Sequence, residues 1–284
     1  MDELGAHVST AGGLERAPAR GAERGAAVIQ VFTKQPSRWA EPTVSPAVAE
    51  TFRRERVRHG ILTAGAHDSY LINVASPDPT LWARSFACLR GEMERATALG
   101  LDFVVTHPGN ATDGDQAGGL SRNAEAIGRV LDEVPGDVVL LLELTAGTGT
   151  TVGATFENLA VMIAAVPAVL RERIGVCVDT CHAWAAGYDL VGDYEGVWRR
   201  FDDVLGLDRL GLLHLNDSKH PLASRRDRHE GIGAGTLGVD LFRRIVGDSR
   251  LISVPKVLET PKGDDPVGAD RRNLGLLRSL RQEG

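Results

Sequence analysis

Short apolar runs that end in a histidine or a carboxylate recur along the chain, and they constrain the fold more than any other feature of the sequence. In the clearest example, the β-branched run 174–178 is followed by Asp179 and then by His182. Such a run predicts a buried parallel strand that ends at Asp179, with His182 in the loop after it. Comparable runs end at His67, His107, Glu143, His214 and Glu259.

An isolated Asp after a strand has a simpler interpretation. Asp179 followed by Thr180 is typical of a helix N-cap or a turn, and taken alone this pair favours the cap. The repetition reverses that preference, because six such endings in one chain are not expected to be six caps.

Eight strand candidates can be placed, with helix-length segments between them. The strands are expected at residues 4–8, 27–32, 61–67, 103–107, 138–143, 175–179, 210–216 and 254–259. Helices are expected at residues 46–59, 80–99, 120–134, 156–170, 194–205, 239–246 and 269–281. Eight strand-then-helix units predict an α/β fold, a parallel (β/α)₈ TIM barrel, with a doubly wound open sheet as the weaker alternative. No composition break marks a boundary, so a single domain over residues 1–284 is expected, although the length would also allow two.

A barrel brings the C-terminal ends of its strands to one mouth, so the side chains that end the strands are predicted to converge there. Imidazole and carboxylate without thiolate are typical of hydrolytic zinc or manganese sites. Asp227 and His229 are two residues apart and can point the same way from an extended segment. The candidate metal ligands are therefore His67, His107, Glu143, Asp179, His182, His214, Asp227, His229 and Glu259.

This number of ligands bears on the chemistry. Nine are too many for one tetrahedral ion and more than two ions with open positions need, so three divalent ions fit best. Phosphate-ester hydrolysis is the favoured reaction. Sugar isomerases and epimerases would satisfy the same spacing, and a hydrogen-bonded structural role is the alternative for any single histidine.

The composition is that of an ordinary globular protein, with 43% hydrophobic and 25% charged residues. The first residues, Met1 to Leu4, carry no basic segment before an apolar core, and the run 161–170 is too short to span a bilayer, so a cytoplasmic protein without a membrane partner is expected. Three cysteines fit a reducing compartment, and Cys177 and Cys181 are assigned to core packing rather than to zinc. A net charge of −6 argues mildly against a nucleic-acid partner, but three divalent ions would offset it.

Several motifs follow one another along nearly the whole chain. They include Gly5-Ala-His-Val-Ser9, Phe32-Thr-Lys34, His67-Asp-Ser-Tyr-Leu-Ile-Asn73, His107-Pro-Gly109, Gly175-Val-Cys-Val-Asp-Thr-Cys-His182, His214-Leu-Asn-Asp217, Asp227-Arg-His229 and Leu258-Glu-Thr260. Together they resemble the endonuclease IV family of apurinic/apyrimidinic endonucleases.

The resemblance implies a (β/α)₈ barrel that binds three zinc ions, with manganese possible at some of the sites. It assigns one ion to His67, His107 and Glu143. It assigns the second ion to Glu143, Asp179, His214 and Glu259, and the third to His182, Asp227 and His229. Glu143 would bridge the first two ions and orient the attacking hydroxide, which makes it the expected catalytic residue.

The family cleaves the phosphodiester 5′ to an abasic site in duplex DNA, leaves a 3′-hydroxyl and trims blocked 3′ ends. The resemblance therefore implies a monomer that acts in base excision repair, cytoplasmic and associated with the nucleoid during repair. The chain departs from the family pattern at Arg38, which is shifted by one position, at Leu144 after the bridging glutamate, and at Ala234. These departures leave every proposed ligand intact and bear on DNA contact and on the support of the ligands.

The loop after the third strand is the candidate DNA contact. Tyr70 and Leu71 could fill the base stack beside an abasic gap, with Arg38 and Trp39 of the strand-two loop as partners. In the alternative, Asp68 or Ser69 caps the next helix, and Tyr70 and Leu71 pack in the core.

Two other functions remain open. A metal-dependent sugar isomerase or epimerase could use the same barrel, but it would not need the third ligand set or the aromatic and basic loops. A catalytically silent DNA-binding protein is disfavoured because all nine ligand positions are filled.

Overall fold

The computed structural model describes residues 3–282, in which eight parallel strands close into a barrel. The first strand pairs with both the second and the last, so the sheet has no open edge and the doubly wound alternative is wrong. The predicted TIM barrel is confirmed. Its strands are β1 (Leu4–His7), β2 (Val28–Phe32), β3 (Thr63–His67), β4 (Phe103–Thr106), β5 (Val139–Glu143), β6 (Ile174–Asp179), β7 (Leu210–His214) and, after a small antiparallel pair formed by β8 (Asp217–Ser218) and β9 (His229–Glu230), β10 (Lys256–Leu258).

Helices follow the barrel strands and cover the outside. They are α1 (Ala17–Arg24), α2 (Pro46–Arg58), α3 (Pro79–Leu99), α4 (Gln116–Glu133), α5 (Phe156–Ala165), α6 (Thr180–Ala186), α7 (Tyr194–Leu205), α8 (Gly238–Gly247) and α9 (Pro266–Gln282). Within residues 3–282, none of these helices is both long and apolar enough to cross a membrane. Met1 and Asp2, part of the N-terminal stretch considered above, lie outside the described residues, as do Glu283 and Gly284 at the end of the expected domain.

The helix boundaries follow from caps and prolines. α3 begins after Asp78, whose carboxylate accepts hydrogen bonds from the backbone amides of its first turn, so the expectation that Asp68 or Ser69 caps this helix is wrong. The segment predicted as one helix over 156–170 stops at Ala165, because Val166 precedes Pro167 and is extended. α1 and α6 are short helices that the sequence pattern did not predict.

The barrel interior has its own apolar core, separate from the larger core between strands and helices. The ring of Phe103 occupies the space beside Gly65, where an added Cβ would lie 2.1 Å from the ring. Below the mouth, the interior is thus filled by packed side chains, and polar groups collect at the C-terminal ends of the strands. This inner core consists of Val28, Phe103, Val105, Leu141, Cys177, Leu212 and Val257.

Candidate metal centre

Six of the predicted ligands lie at the C-terminal ends of six neighbouring barrel strands. Four of them are the last residue of their strand, and two follow their strand by one residue. Their side chains meet around Glu143, whose Oε2 lies 3.3 Å from His67 Nε2 and 3.2 Å from His107 Nε2. On its other side, Glu143 Oε1 lies 3.1 Å from His214 Nδ1, and the same nitrogen is 3.4 Å from Glu259 Oε2. The predicted convergence is therefore present.

The other three predicted ligands form an adjoining group. Asp227 lies between two imidazoles, with Oδ2 3.2 Å from His182 Nε2 and Oδ1 3.2 Å from His229 Nε2. His182 lies in α6, so its expected position in a loop was wrong. Its place in the first turn of that helix aims the ring at the mouth, where Nδ1 is also 3.1 Å from Glu143 Oε1.

Asp179 caps a helix and also lies among the candidate ligands. Its Oδ1 accepts the backbone N–H of His182 at 3.0 Å and so caps α6. Its Oδ2 accepts a hydrogen bond from Asn216 Nδ2 at 2.6 Å and lies 3.4 Å from His229 Nε2. A capping carboxylate thus also belongs to the cluster, since each of its oxygens serves a different role.

Two buried atoms of the cluster are unsatisfied in a way that suits a cation. Within residues 3–282, Glu143 Oε2 and His229 Nε2 have no hydrogen-bond partner, although nitrogen or oxygen atoms of other ligands lie within 3.5 Å of each. A buried polar atom left in this state is costly, and a divalent ion between such atoms would satisfy them together. The donor set of neutral nitrogen and carboxylate oxygen also fits zinc.

The charges of the cluster balance only through its histidines. Burial alone would lower the pKa of His67, but the carboxylates of Glu143 and Glu259 raise it to about 10. Burial would likewise lower the pKa of His229, but the carboxylates of Asp179 and Asp227 raise it to about 9. Contacts with His182 and His229 hold the pKa of the Asp227 carboxyl well below its usual range, in spite of burial. Protons on the imidazoles therefore occupy the role that cations would take.

Hydrogen bonds to main-chain carbonyls orient three of the imidazoles. His67 Nδ1 lies 3.0 Å from the carbonyl oxygen of Asp68, and His182 Nδ1 lies 3.0 Å from that of Leu144. His229 Nδ1 lies 3.2 Å from the carbonyl oxygen of Glu259. In each ring, Nε2 then faces the carboxylates. Because Leu144 contributes its backbone, the departure from the family pattern at this position leaves the support of His182 in place.

Two supporting side chains were missed in the sequence. Gln30, in the middle of β2, accepts a hydrogen bond from His214 Nε2 at 2.9 Å and donates to Glu259 Oε1 at 2.7 Å. Asn216 joins Asp179 to the backbone amide of Glu259. A signal for Gln30 was available, because an amide inside the apolar run 28–32 must be buried with partners.

A cavity of about 480 Å³ adjoins the third ligand group and is lined by a basic loop. Arg225 has a positive φ of 54°, which is uncommon for a side chain larger than glycine. Its backbone is held on both sides, by Thr148 Oγ1 donating to its carbonyl at 2.8 Å and by its own amide donating to Ala185 at 2.9 Å. Arg226 and Arg228 line the same cavity. A negative overall charge is thus compatible with a local positive surface at the mouth.

The four candidate DNA contacts lie on two loops that touch each other. Ser69 Oγ donates to the Pro36 carbonyl at 2.6 Å and so ties the loop after β3 to the loop after β2. Tyr70 is 68% exposed, so its expected alternative position in the core was wrong, and its ring packs edge-on against Phe32. Leu71 is half-buried.

On the loop after β2, the two candidates differ. Arg38 is exposed, and its carbonyl accepts a hydrogen bond from Lys34 Nζ at 2.9 Å. Trp39 is half-buried, and the guanidinium of Arg84 lies 4.4 Å above its ring. One face of Trp39 is therefore already covered, whereas Tyr70 is the more accessible ring.

The three cysteines are free and buried. Burial raises the pKa of the Cys177 thiol to about 12 and that of Cys181 to about 11. Cys177 belongs to the inner barrel core, which supports its assignment to packing although both thiols lie near the cluster.

Comparisons with known proteins find the same barrel fold and, in addition, relatives with similar sequences along the whole chain. Residues 18–280 match a family model described as a xylose isomerase-like TIM barrel. A probable endonuclease 4 from Chloroflexus aurantiacus is 45% identical, with 99% of each chain covered. The crystal structure of endonuclease IV from Thermus thermophilus superposes with a TM-score of 0.88 at 38% identity, again with 99% of each chain covered.

A likeness to sugar enzymes extends to the fold alone. A D-tagatose 3-epimerase-like protein has a TM-score of 0.73 over 98% of both chains, but only 17% of its residues are identical.

Proposed function

The chain belongs to the endonuclease IV family, and from this premise we propose that it is a zinc-dependent apurinic/apyrimidinic endonuclease acting in base excision repair. Its substrate is duplex DNA with an abasic site, and it hydrolyses the phosphodiester 5′ to that site to leave a 3′-hydroxyl. It also trims blocked 3′ ends by the same hydrolysis of a phosphate ester.

The position of Glu143 is the observation that carries this proposal. The carboxylate is fully buried at the centre of the nine candidate ligands, with imidazoles of two groups at Oε1 and two further imidazoles at Oε2. Such a bridge suits ions that act on one phosphate together. Zinc bound here would lower the pKa of water and neutralise charge on the phosphate and on the leaving oxygen.

The protein residues position the reaction. We assign the first ion to His67, His107 and Glu143, because these three surround the unsatisfied Oε2. The second is assigned to Glu143, Asp179, His214 and Glu259, because His214 Nδ1 lies within 4.0 Å of a carboxylate oxygen of each of the other three. The third is assigned to His182, Asp227 and His229. Manganese has suitable chemistry for the carboxylate-rich second position. The arginines beside the third group can donate hydrogen bonds to the phosphates that flank the scissile bond.

The sugar isomerase or epimerase is the weaker alternative. A small sugar would need neither the third ligand group nor an open mouth with exposed Tyr70 and a loop of three arginines. The likeness to an epimerase supports a shared fold and not a shared substrate, since the two sequences differ at most positions.

One assay tests the proposal directly. Purified protein loaded with zinc is incubated with a duplex oligonucleotide that carries a single tetrahydrofuran abasic analogue, and the product ends are identified. A single cut 5′ to the analogue with a 3′-hydroxyl, abolished by a chelator and restored by zinc, is the expected result. Ketose epimerisation without incision would instead support the alternative.

A further inference from the structure

His214 differs from the other oriented histidines of the cluster in the group that holds its ring. His67, His182 and His229 turn Nδ1 towards a main-chain carbonyl, and His182 Nδ1 also lies 3.1 Å from Glu143 Oε1. In His214, Nδ1 instead lies 3.1 Å from Glu143 Oε1 and 3.4 Å from Glu259 Oε2. Its Nε2 must then carry the proton when Nδ1 binds a cation.

The acceptor for that proton is a side chain. Gln30 Oε1 lies 2.9 Å from His214 Nε2, and both residues are completely buried. The orientation of the Gln30 amide is fixed by its other end, since Nε2 donates to the Glu259 carboxylate at 2.7 Å. A flipped amide would set its oxygen against that carboxylate, which can only accept hydrogen bonds when ionised.

One amide therefore contacts two residues of the second ligand group at once. His7 Nδ1 lies 3.1 Å from the same Gln30 nitrogen and holds it from the β1 side. A substitution cannot remove the main-chain carbonyls that accept from His67, His182 and His229. The side chain that supports His214 can be removed by a single substitution.

We propose that Gln30 is a positioning residue for the second metal site: it holds His214 with Nδ1 towards the ion and holds Glu259 in its place beside it. This inference rests on the proposed function, because it assumes that the cluster binds zinc. Gln30 acts through these two ligands, because its amide contacts the side chains of His214 and Glu259.

The test compares zinc affinity in three proteins. Gln30→Met has a side chain of similar length without hydrogen bonds, and loss of an outer support of this kind typically weakens metal affinity by about 10- to 100-fold. Val28→Ala is the matched control, because Val28 lies two residues earlier on the same inward face of β2 and belongs to the inner core. The control should lose stability but keep wild-type zinc affinity at every site. Competition with a chromophoric chelator measures the affinities.

A second measurement separates positioning from general damage. In zinc-loaded wild-type protein, nitrogen-edited NMR should show a protected, strongly downfield Nε2–H proton for His214. This signal should disappear in Gln30→Met and persist in Val28→Ala, which leaves the Gln30 amide in place. If Gln30→Met does not fold, absence of this protected proton from zinc-loaded wild-type protein would overturn the proposal.

The outcomes distinguish the two levels of inference. Wild-type zinc affinity in Gln30→Met, or an equal loss of affinity in Val28→Ala, overturns the role of Gln30 and leaves the proposed function intact. Absence of zinc binding in the wild-type protein overturns both.

Discussion

At the scale of single residues, Glu143 is where a change of one atom should have the largest effect. Both carboxylate oxygens face imidazoles of the cluster, so an amide at this position would turn an NH₂ group towards one of the ions. Glu143→Gln is expected to lower the rate of abasic-site incision by several orders of magnitude while DNA binding changes far less. Single-turnover incision and a binding titration in the presence of calcium measure the two quantities separately.

The matched control for this change is Glu157→Gln. This substitution makes the same change from carboxylate to amide, but Glu157 pairs with Arg200 between α5 and α7, outside the cluster. It should retain wild-type incision. Near-full incision by Glu143→Gln would show that the bridge lies elsewhere.

Protons and zinc are expected to compete for the same imidazoles. In the metal-free protein, the carboxylates raise the pKa of His67 to about 10 and that of His229 to about 9 although burial opposes this. Both rings are therefore protonated at neutral pH, and zinc must displace these protons. We expect release of on the order of two or more protons per chain when zinc binds, and a zinc affinity that falls as the pH is lowered.

The sign of the linkage also predicts the stability of the metal-free protein. Because the folded-state pKa values are raised, the protonated rings contribute their full stability below the unfolded-state value of about 6.5. This contribution is lost as the pH rises through about 9 to 10.

Zinc titrations by calorimetry in buffers of different ionisation enthalpy measure the number of protons released when zinc binds. Identical apparent enthalpies in all buffers would contradict it.

At the scale of elements, the loop after β3 carries the candidate wedge. Tyr70 is exposed beside His67, with ring centroids 5.9 Å apart, and Ser69 fixes the loop to its neighbour. Stacking of a base on an aromatic ring contributes about 1–3 kcal/mol, so Tyr70→Ala should weaken binding to abasic duplex by roughly five- to 150-fold. Tyr70→Phe keeps the ring and should bind as the wild type does.

The comparison that decides this prediction is abasic against undamaged duplex at fixed salt. A wedge contributes only beside a gap, whereas phosphate contacts contribute to both duplexes. An equal loss of affinity for both, or loss of zinc from Tyr70→Ala, would remove the wedge assignment.

The elements show what the sequence pattern could predict. Each barrel strand is a run of buried apolar residues, which is a strong local signal, and all eight were placed within a few residues of their true bounds. The sequence pattern does not predict α6, because this helix has only seven residues and begins at the cap Asp179, which the repeated strand endings favour as a metal ligand. Because Asp179 both caps α6 and lies in the cluster, a sequence interpretation that chooses one of these positions loses the other.

The site was predictable as a set of residue types but not as a set of orientations. Strand ends gather in any barrel, so the convergence of His67, Glu143 and His214 followed from the fold. The Nε2 of His214 lies against Gln30, 184 residues away in the sequence, and no local pattern encodes that contact. In the same way, Arg84 covers one face of Trp39 from a different element.

At the scale of the whole molecule, the barrel gathers charges that lie far apart in the sequence, and bound ions would determine how stable that arrangement is. The formal net charge is −6, and four carboxylates of the cluster lie within one mouth. Three divalent ions would offset this charge where it is concentrated. Metal content and global stability should therefore change together.

We expect purified protein to hold about three zinc ions, and we expect their removal to lower the melting temperature. Each ion present at about 100 times its dissociation constant stabilises the fold by about 2.7 kcal/mol. Since about 1 kcal/mol shifts the melting temperature of a chain of this size by about 2 °C, three ions should shift it by roughly 15 °C. Elemental analysis and calorimetry with and without a chelator measure the two quantities.

Two histidine variants test the assignment of the third site. His229→Gln should retain about two ions and lose about a third of the shift in melting temperature. His59→Gln is the control and should retain all three ions, because His59 is the C-cap of α2 and lies outside the cluster. One ion or none in active protein, or a melting temperature indifferent to the chelator, would show that the nine residues do not form three metal sites.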